Sequence, residues 1–412
     1  MTGQSPGGPL SAGNQSLYTK PVPASNRSSI ILFCFVNVFW WIGLYLYVPV
    51  LPVYIQSAGA GLGTVGTVLS AYAIPQVLLR VPLGIWSDSL GRRKPLVAGG
   101  IIFTSLGALG LGLSATPLLL FLSRLATGIG AAAWVVFPLY FTAYYPADKG
   151  GNAIGLINFV RSIALIAATV SGGFIAGGFG LSRPFFVAAM LGVFALLALL
   201  LTKESPIARE QIPSLRRTVS VITRPLLLAV SLMAILLNFA VFTGVFGFIP
   251  VYAAEIGASS GELGLVTMIN LGSSALGALA AAWLWKRWGY RLTIILSAVL
   301  IAGSLFSIPF VTAVPVLMAV QVSNGLGSGV LMTLFMVLSI RGLPREQQAT
   351  AMGVFQAVYA VGMLAGPLVS GFLGSGSGLA IVFYLAALFS LLLAVLAFLP
   401  VFSRLQRAER TV

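Results

Sequence analysis

The chain of 412 residues has no histidine, a single cysteine (Cys34) and only eight acidic residues. These shortages exclude a disulfide framework, a zinc site of cysteine and histidine ligands, and a proton relay through imidazole. The sequence also lacks a recognisable nucleophile with its base, a cluster of metal ligands and a nucleotide-binding loop. We therefore expect no cofactor, no metal and no enzymatic activity.

Charged residues are equally scarce. They form 8% of the chain, against about 25% in an ordinary soluble domain, while hydrophobic residues form 58%. A helix that crosses a bilayer needs about 20 apolar residues, so twelve crossings need roughly 240, which this chain can supply. Apolar stretches recur about every 30 residues. The sequence therefore predicts an all-α membrane protein with twelve transmembrane helices.

Breaks in the apolar pattern divide the chain into segments. The prediction is a disordered cytoplasmic tail at 1–28, a six-helix bundle at 29–202, a basic cytoplasmic linker at 203–225, a second six-helix bundle at 226–402 and a cytoplasmic tail at 403–412.

The positive charge follows the predicted loops. Of the 23 Lys and Arg residues, 19 fall in tails and loops on one side, Arg183 falls on the other side, and three fall within spans. The positive-inside rule then places both termini in the cytoplasm. The net charge of +15 is thus a signal of membrane topology, and we expect no nucleic-acid partner. Short loops favour a bacterial cytoplasmic membrane, and we expect a monomer.

The two halves repeat each other with an offset of 198 residues. Leu51-Pro52-Val53-Tyr54 recurs as Ile249-Pro250-Val251-Tyr252. Several glycines match at the same offset: Gly59 and Gly257, Gly66 and Gly264, Gly155 and Gly353, Gly173 and Gly371. A six-helix unit repeated in one orientation predicts a binding site at the interface between the halves.

The loop after the second span carries a specific motif. Residues 82–94 read PLGIWSDSLGRRK, which resembles the loop signature G-x-x-x-D-R-x-G-R-[RK] of the major facilitator superfamily. The matching positions are Gly84, Asp88, Gly91, Arg92 and Arg93, and Ser89 stands where the family usually has Arg. The resemblance implies a major facilitator fold of two parallel-repeat six-helix bundles. It also implies that these residues form a latch that closes when the halves meet.

Two further motifs refine the resemblance. Arg124, Gly128 and Gly130 resemble the fourth-span motif of the superfamily, in which a buried arginine faces the central cavity. The G-P-x-x-G-G element that drug:proton antiporters carry in the fifth span is absent, because this span reads ATVSGG at 168–173.

The predicted substrate site begins with three arginines inside spans: Arg80, Arg124 and Arg161. All eight acidic residues fall in predicted loops, tails or span ends, so no carboxylate is expected at the midplane to neutralise them. Charges in a bilayer are costly unless paired or hydrated, and guanidinium groups bind carboxylate and phosphate well. The pattern indicates an anionic or amphipathic small-molecule substrate.

Polar and aromatic residues within the spans complete the candidate site, because polar groups in hydrocarbon are expected to face the bundle interior. These are Asn37, Trp41, Tyr45, Tyr72, Gln76, Asn158, Asn238, Phe242, Asn270, Gln356 and Tyr359.

Three functions remain open. The first is a secondary active or facilitative transporter of a small organic anion or amphipathic acid, working by alternating access. The second is multidrug efflux by proton antiport, and the third is lipid or lysolipid transport. The bilayer is a partner in each case, and coupling to protons or to a counter-anion fits the first.

Overall fold

The computed structural model describes residues 26–90, 92–114, 116–146, 149–204, 220–400 and 402, without the side chains of Asn26, Asp88, Ser89, Arg345, Glu346 and Ala349. Within these ranges the chain forms helices joined by short turns, and no strand occurs there. The predicted N-terminal tail up to residue 25, residues 205–219 of the predicted linker and nearly all of the predicted C-terminal tail lie outside the described residues.

The first half contains nine helices that account for six crossings. They are α1 (Asn26–Tyr45), α2 (Leu51–Ser57), α3 (Leu62–Ala71), α4 (Ala73–Leu90), α5 (Lys94–Leu113), α6 (Pro117–Ala132), α7 (Val136–Thr142), α8 (Gly150–Phe179) and α9 (Arg183–Leu201). Short breaks separate α1 from α2 and α3 from α4, and a 3₁₀ turn at Ala133–Val135 joins α6 to α7.

The second half repeats this arrangement. Its helices are α10 (Pro225–Thr243), α11 (Ile249–Glu255), α12 (Ser260–Ser307), α13 (Val314–Ile340), α14 (Arg345–Ser377) and α15 (Leu379–Leu396), with a π turn at Gly244–Phe248 and a 3₁₀ turn at Ile308–Phe310.

Eleven helical stretches of the described chain are long and apolar enough to cross a membrane. The helix α12 has 48 residues, or roughly 72 Å at 1.5 Å per residue, more than twice the thickness of a bilayer core. It contains one break, at Gly289, whose φ of 78° and ψ of 168° lie outside the helical region and suit glycine. The chain therefore turns back at Gly289, and the eleven stretches make twelve crossings.

The repeated Leu/Ile-Pro-Val-Tyr segment begins the same element in both halves. Pro52 and Pro250 occupy the first turn of the short helices α2 and α11, where a missing N–H costs nothing. The Tyr54 hydroxyl donates to the Leu111 carbonyl at 3.1 Å, and the Tyr252 hydroxyl donates to the Val311 carbonyl at 2.8 Å. Each tyrosine thus links the first crossing of its half to the end of the third crossing of the same half. The same contact is formed in both halves, in agreement with the repeat of the motif.

The two halves meet closely at one end of the bundle. We call the end that carries Arg92, Lys149, Lys203, Arg287 and Arg341 the basic end, and the other the opposite end. At the opposite end α3 crosses α14 where Gly66 faces Gly371, and α8 crosses α12 where Gly173 faces Gly264. A Cβ at Gly371 would lie 2.6 Å from the Leu62 carbonyl oxygen, and one at Gly264 would lie 2.5 Å from that of Thr169.

These two crossings are equivalent under the repeat, because Gly66 matches Gly264 and Gly173 matches Gly371. At the basic end of the same helices, a Cβ added at Gly155 or at Gly353 would have no neighbour within 4 Å among the described residues. The halves are thus packed backbone to backbone at the opposite end, whereas Gly155 and Gly353 face open space.

Candidate functional site

A cavity of about 380 Å³ lies between the two halves, midway along the bundle. Its walls come from both halves and from the first, second, fourth and fifth crossings of each. This volume suits a small organic molecule. Twelve of the fourteen residues predicted to contact substrate line it: Trp41, Tyr45, Tyr72, Gln76, Arg80, Asn158, Arg161, Asn238, Phe242, Asn270, Gln356 and Tyr359.

Arg161 lies between two indole rings. Its Cζ is 5.2 Å from the ring centroid of Trp41 and 5.7 Å from that of Trp134. Both distances are within the range of a cation–π interaction, which is stronger away from water. The Nε of Arg161 has no hydrogen-bond partner among the described residues. The aromatic faces therefore hold the guanidinium while leaving its N–H groups available.

Arg80 connects the halves. Its Nη1 donates to the backbone carbonyl of Gln356 on α14 at 3.0 Å, and its Nη2 donates to the side-chain oxygen of Gln76. Its Cζ lies 5.2 Å from the ring centroid of Tyr359. The side chain is buried, at 7% exposure, and its Nε is unpartnered within the described chain. Arg80 thus forms a contact across the interface and keeps one donor, its Nε–H, for a ligand.

Unpartnered groups around the cavity are mainly donors. Among the described lining residues, the buried side-chain atoms without a hydrogen-bond partner are Trp41 Nε1, Arg80 Nε and Arg161 Nε on the donor side and Gln356 Oε1 on the acceptor side. A buried donor without a partner is costly, so a ligand that fills this cavity gains most by supplying acceptors. Two fixed positive charges favour acceptors that are anionic.

The amides of the lining are partly satisfied within the protein. Asn158 and Asn238 each donate to a backbone carbonyl four residues earlier in their own helix, at 2.9 Å. Asn270 donates to the side-chain oxygen of Gln321 at 3.2 Å. Asn158 and Asn238 each keep a second N–H of the amide and the amide oxygen, so both can offer a donor and an acceptor to a ligand.

The wall formed by the second half is uncharged and largely apolar. The aromatic ring of Phe246 and the thioethers of Met332, Met336 and Met363 lie there, opposite the arginines of the first half. Sequence reasoning missed these residues and Trp134, because apolar side chains in a span look alike whether they face lipid or a cavity. The 198-residue repeat gives one signal for Trp134 and Met332, because the two residues occupy equivalent positions in the two halves.

Two predicted site residues lie away from this cavity. Asn37 is fully buried within the first half and donates from Nδ2 to the Ile157 carbonyl at 3.2 Å. Arg124 lines a separate space of about 10 Å³ together with Tyr45, Tyr72 and four apolar residues.

The described part of the predicted latch forms contacts within the first half. Arg93 donates from Nη1 to the Leu139 carbonyl at 2.8 Å and from Nε to the Ser87 hydroxyl at 3.3 Å. Arg92 is exposed, and a Cβ at Gly84 would have open space. Gly91 and the side chain of Asp88 lie outside the described residues.

Comparisons with known proteins agree with this architecture. The chain is 22% identical over 370 residues to an uncharacterized MFS-type transporter of Methanocaldococcus jannaschii, covering 87% of this chain and 95% of that one. It is 26% identical over 348 residues to the class E tetracycline resistance protein of Escherichia coli, covering 81% and 85% respectively.

A solved structure shares the fold. The bacterial homologue of the human lysosomal transporter Spinster, in its inward-facing and unoccupied conformation, superposes with a TM-score of 0.80 at 16% identity, covering 93% of this chain and 98% of that one. The family model of the Major Facilitator Superfamily matches residues 33–258 and 231–410, nearly the whole chain. The chain therefore belongs to the Major Facilitator Superfamily and is a multi-pass membrane transporter of small molecules.

Proposed function

We propose that this transporter moves a small organic anion or an amphipathic acid, bound between the halves, by alternating access. The observation that carries the proposal is the pairing of Arg80 and Arg161 in one cavity whose described lining contains no carboxylate. Three unpartnered N–H donors around the same space support it. A carboxylate, phosphate or sulfonate would satisfy both the charge and the donors.

The shape of the cavity indicates how such a substrate lies. Its anionic group would face Arg161 on the first half, and its apolar part would face Met332, Met336 and Met363 on the second half. Methionine side chains adapt to irregular apolar shapes, so this wall suits a range of hydrocarbon or aromatic bodies. Both halves are then needed for affinity, as alternating access requires.

We further propose that the basic end faces the cytoplasm of a bacterial cell, because the loops there carry the positive charge. Both termini would then be cytoplasmic. With the opposite end closed by the two glycine crossings, the conformation described is inward-facing. In this orientation the predicted bundles at 29–202 and 226–402 rock about the cavity, joined by the linker at 203–225.

Transport by Arg161→Gln tests the anionic site. Purified protein in liposomes is assayed for uptake of a panel of radiolabelled organic anions, lipophilic cations and neutral drugs. Replacing a charged hydrogen-bond donor in a desolvated site costs 2–5 kcal/mol of binding, so the variant should transport the best anion at least tenfold more slowly. Arg183→Gln, an exposed arginine at the opposite end, is the matched control and should transport normally.

Equal anion transport by wild type and Arg161→Gln would contradict the proposal. The second candidate, efflux of hydrophobic or cationic drugs, is supported by the similarity to a tetracycline resistance protein and by the aromatic and methionine walls. It predicts that drugs, rather than anions, are transported in the panel and that Arg161→Gln leaves their transport intact or improves it.

A further inference from the structure

Arg124 lines a small space beside the main cavity. This space of about 10 Å³ is bounded by Tyr45, Tyr72 and Arg124 and by four apolar side chains. Those four are Leu44, Val48, Phe242 and Phe246. The volume is close to what one water molecule requires, and an organic substrate would not fit. Arg124 does not line the main cavity, whereas Tyr45, Tyr72, Phe242 and Phe246 line both spaces, so the small space adjoins the main cavity.

The guanidinium of Arg124 is poorly satisfied there. It is 5% exposed, its Nε has no partner among the described residues, and Nη1 reaches the Thr127 hydroxyl only at 3.5 Å. The ring of Tyr72 covers it at 4.2 Å from its Cζ. The hydroxyl of Tyr47, which is fully buried, lies beside Arg124 and Thr127 and is a neutral acceptor for the guanidinium.

This arrangement has a surplus of positive charge and of donors. A guanidinium stays protonated in proteins and accepts no hydrogen bond, so its missing partner must be an acceptor. The described residues that line the space include no carboxylate. A water molecule would satisfy hydrogen bonds but would leave the buried charge uncompensated, which is costly in a bilayer.

We propose that Arg124 holds one small inorganic anion of halide size in this space, as a resident counter-ion distinct from the transported substrate. The apolar side chains on the remaining walls exclude the hydration shell, which favours weakly hydrated monatomic anions over phosphate or carboxylates. The ion neutralises Arg124, the one arginine of the three that does not line the main cavity in the described structure.

The ion site also joins the two halves. Phe242 and Phe246 belong to the second half, whereas the other five lining residues belong to the first. Separation of the halves at the opposite end would open the compartment. The bound ion therefore stabilises the conformation described here.

Halide-dependent melting of the purified full-length protein tests this site. Melting temperatures are measured in sodium gluconate, whose anion is too large to enter, and after replacement by chloride or bromide at equal ionic strength. Halide should raise the melting temperature of wild type by a few degrees, because a ligand bound to the native state alone stabilises it. Arg124→Gln should lose the shift, while Arg161→Gln should keep it.

Bromide gives a second readout that needs no variant. Crystals of wild type grown in bromide should show an anomalous scattering peak between Arg124, Tyr45 and Tyr72. The proposal is overturned if halide does not stabilise wild type, if Arg124→Gln keeps the halide shift, or if bromide occupies only the main cavity beside Arg161. Gluconate belongs to the class of anion proposed as substrate, so the halide shift is also read in Arg161→Gln, which weakens binding of gluconate in the main cavity. A halide shift retained in Arg161→Gln and lost in the double variant with Arg124→Gln separates this proposal from the first.

Discussion

Aromatic faces, rather than carboxylates, accompany the buried arginines of the first half. Arg161 lies against Trp41 and Trp134, and Arg80 and Arg124 lie against the rings of Tyr359 and Tyr72. A carboxylate partner would neutralise the charge and occupy the N–H groups. An aromatic face stabilises the cation in low dielectric and leaves those groups free. The protein thus retains positive charge that a ligand can use.

Trp134 is the residue that tests this role. Trp134→Leu removes one of the two faces that hold Arg161, and a desolvated cation–π interaction is worth about 2 kcal/mol. We expect Trp134→Leu to raise the KM for the best anion about fivefold to thirtyfold. Trp134→Phe still presents an aromatic ring, so it should raise the KM less. Initial rates of uptake at varied substrate concentration measure the effect. Equal KM values for the Leu and Phe variants would contradict a role for the aromatic face.

Polar residues of the cavity lining could be predicted from the sequence more readily than apolar ones. Gln76, Asn158 and Asn270 could be predicted because a polar group in a span must avoid lipid. The same rule misplaced Asn37 in the cavity, since a buried amide can also be satisfied by a backbone carbonyl, here that of Ile157. The methionines of the second half carry no such signal, because a thioether is compatible with lipid, core and cavity.

At the scale of single helices, the start of α5 is stabilised from a distant part of the chain. The N-cap position is Arg93, whose side chain cannot accept the free N–H groups of the first turn. Glu204, just after α9, accepts hydrogen bonds from the backbone N–H groups of Arg93 and Lys94. A carboxylate at this place also complements the helix dipole.

We therefore expect Glu204→Ala to destabilise the protein by about 1 kcal/mol, the usual cost of losing a capping side chain. Glu204→Gln keeps an acceptor without the charge, so its melting temperature should lie between those of wild type and Glu204→Ala. Thermal melting of the three detergent-purified proteins measures this order. Lys203→Gln, at an exposed neighbouring position, serves as the control. A melting temperature for Glu204→Ala equal to that of wild type would mean that water caps α5 equally well.

The glycine crossings make a second prediction for the helices. Gly66→Ala places a methyl group against the Pro367 carbonyl and the Gly371 backbone, so the opposite end can close only with α3 and α14 pushed apart. We expect the equilibrium to move toward the conformation open at that end. A cysteine at Ser162, which lines the cavity, should then react faster with an impermeant thiol reagent from the opposite side, in a Cys34→Ser background.

Gly155→Ala is the matched control for this variant, since its methyl group would have open space. Its labelling rate should equal that of the parent. If Gly66→Ala also labels at the parent rate, the close approach of α3 and α14 does not set the conformational equilibrium.

The positions of the helices and the turn between the eighth and ninth crossings could be predicted from the sequence. The basic segment at 286–291 interrupts the apolar pattern, and Gly289 matches Gly91 under the 198-residue repeat. The φ of 78° at Gly289 agrees with a turn at this place. The π turn at Gly244–Phe248 could not be predicted, because it interrupts a continuous apolar run and depends on tertiary packing.

In the molecule as a whole, the two halves share a repeated backbone but place different side chains in the walls of the cavity. Eight pairs of cavity residues are equivalent under the 198-residue repeat: Tyr72 and Asn270, Gln76 and Ser274, Arg80 and Ala278, Ala131 and Gly329, Trp134 and Met332, Asn158 and Gln356, Arg161 and Tyr359, and Leu165 and Met363. Both arginines of the cavity are replaced by uncharged residues in the second half. The symmetric scaffold thus permits rocking, and the unequal walls give a bound molecule a single orientation.

Hydrogen bonds between the halves run along one seam in the described structure. Gly63 donates from its backbone to the Ser375 hydroxyl at 2.8 Å, Ser70 donates to the Leu364 carbonyl at 2.9 Å, and Arg80 donates to Gln356. All join the second crossing to α14. Alternating access requires that the bond nearest the opposite end, between Gly63 and Ser375, breaks in each transport cycle.

A cysteine pair at Gly63 and Ser375 should therefore lock the transporter. A Cβ at Gly63 would lie 3.0 Å from the Ser375 hydroxyl, so a disulfide can form with little movement. In a Cys34→Ser background, we expect oxidation to reduce transport at least tenfold and a reductant to restore it. Gly155 and Gly353 provide the control pair, because a Cβ at either has no neighbour within 4 Å, and oxidation should leave transport by that double variant unchanged. Full transport by completely cross-linked Gly63→Cys/Ser375→Cys protein would show that the halves need not separate at this end.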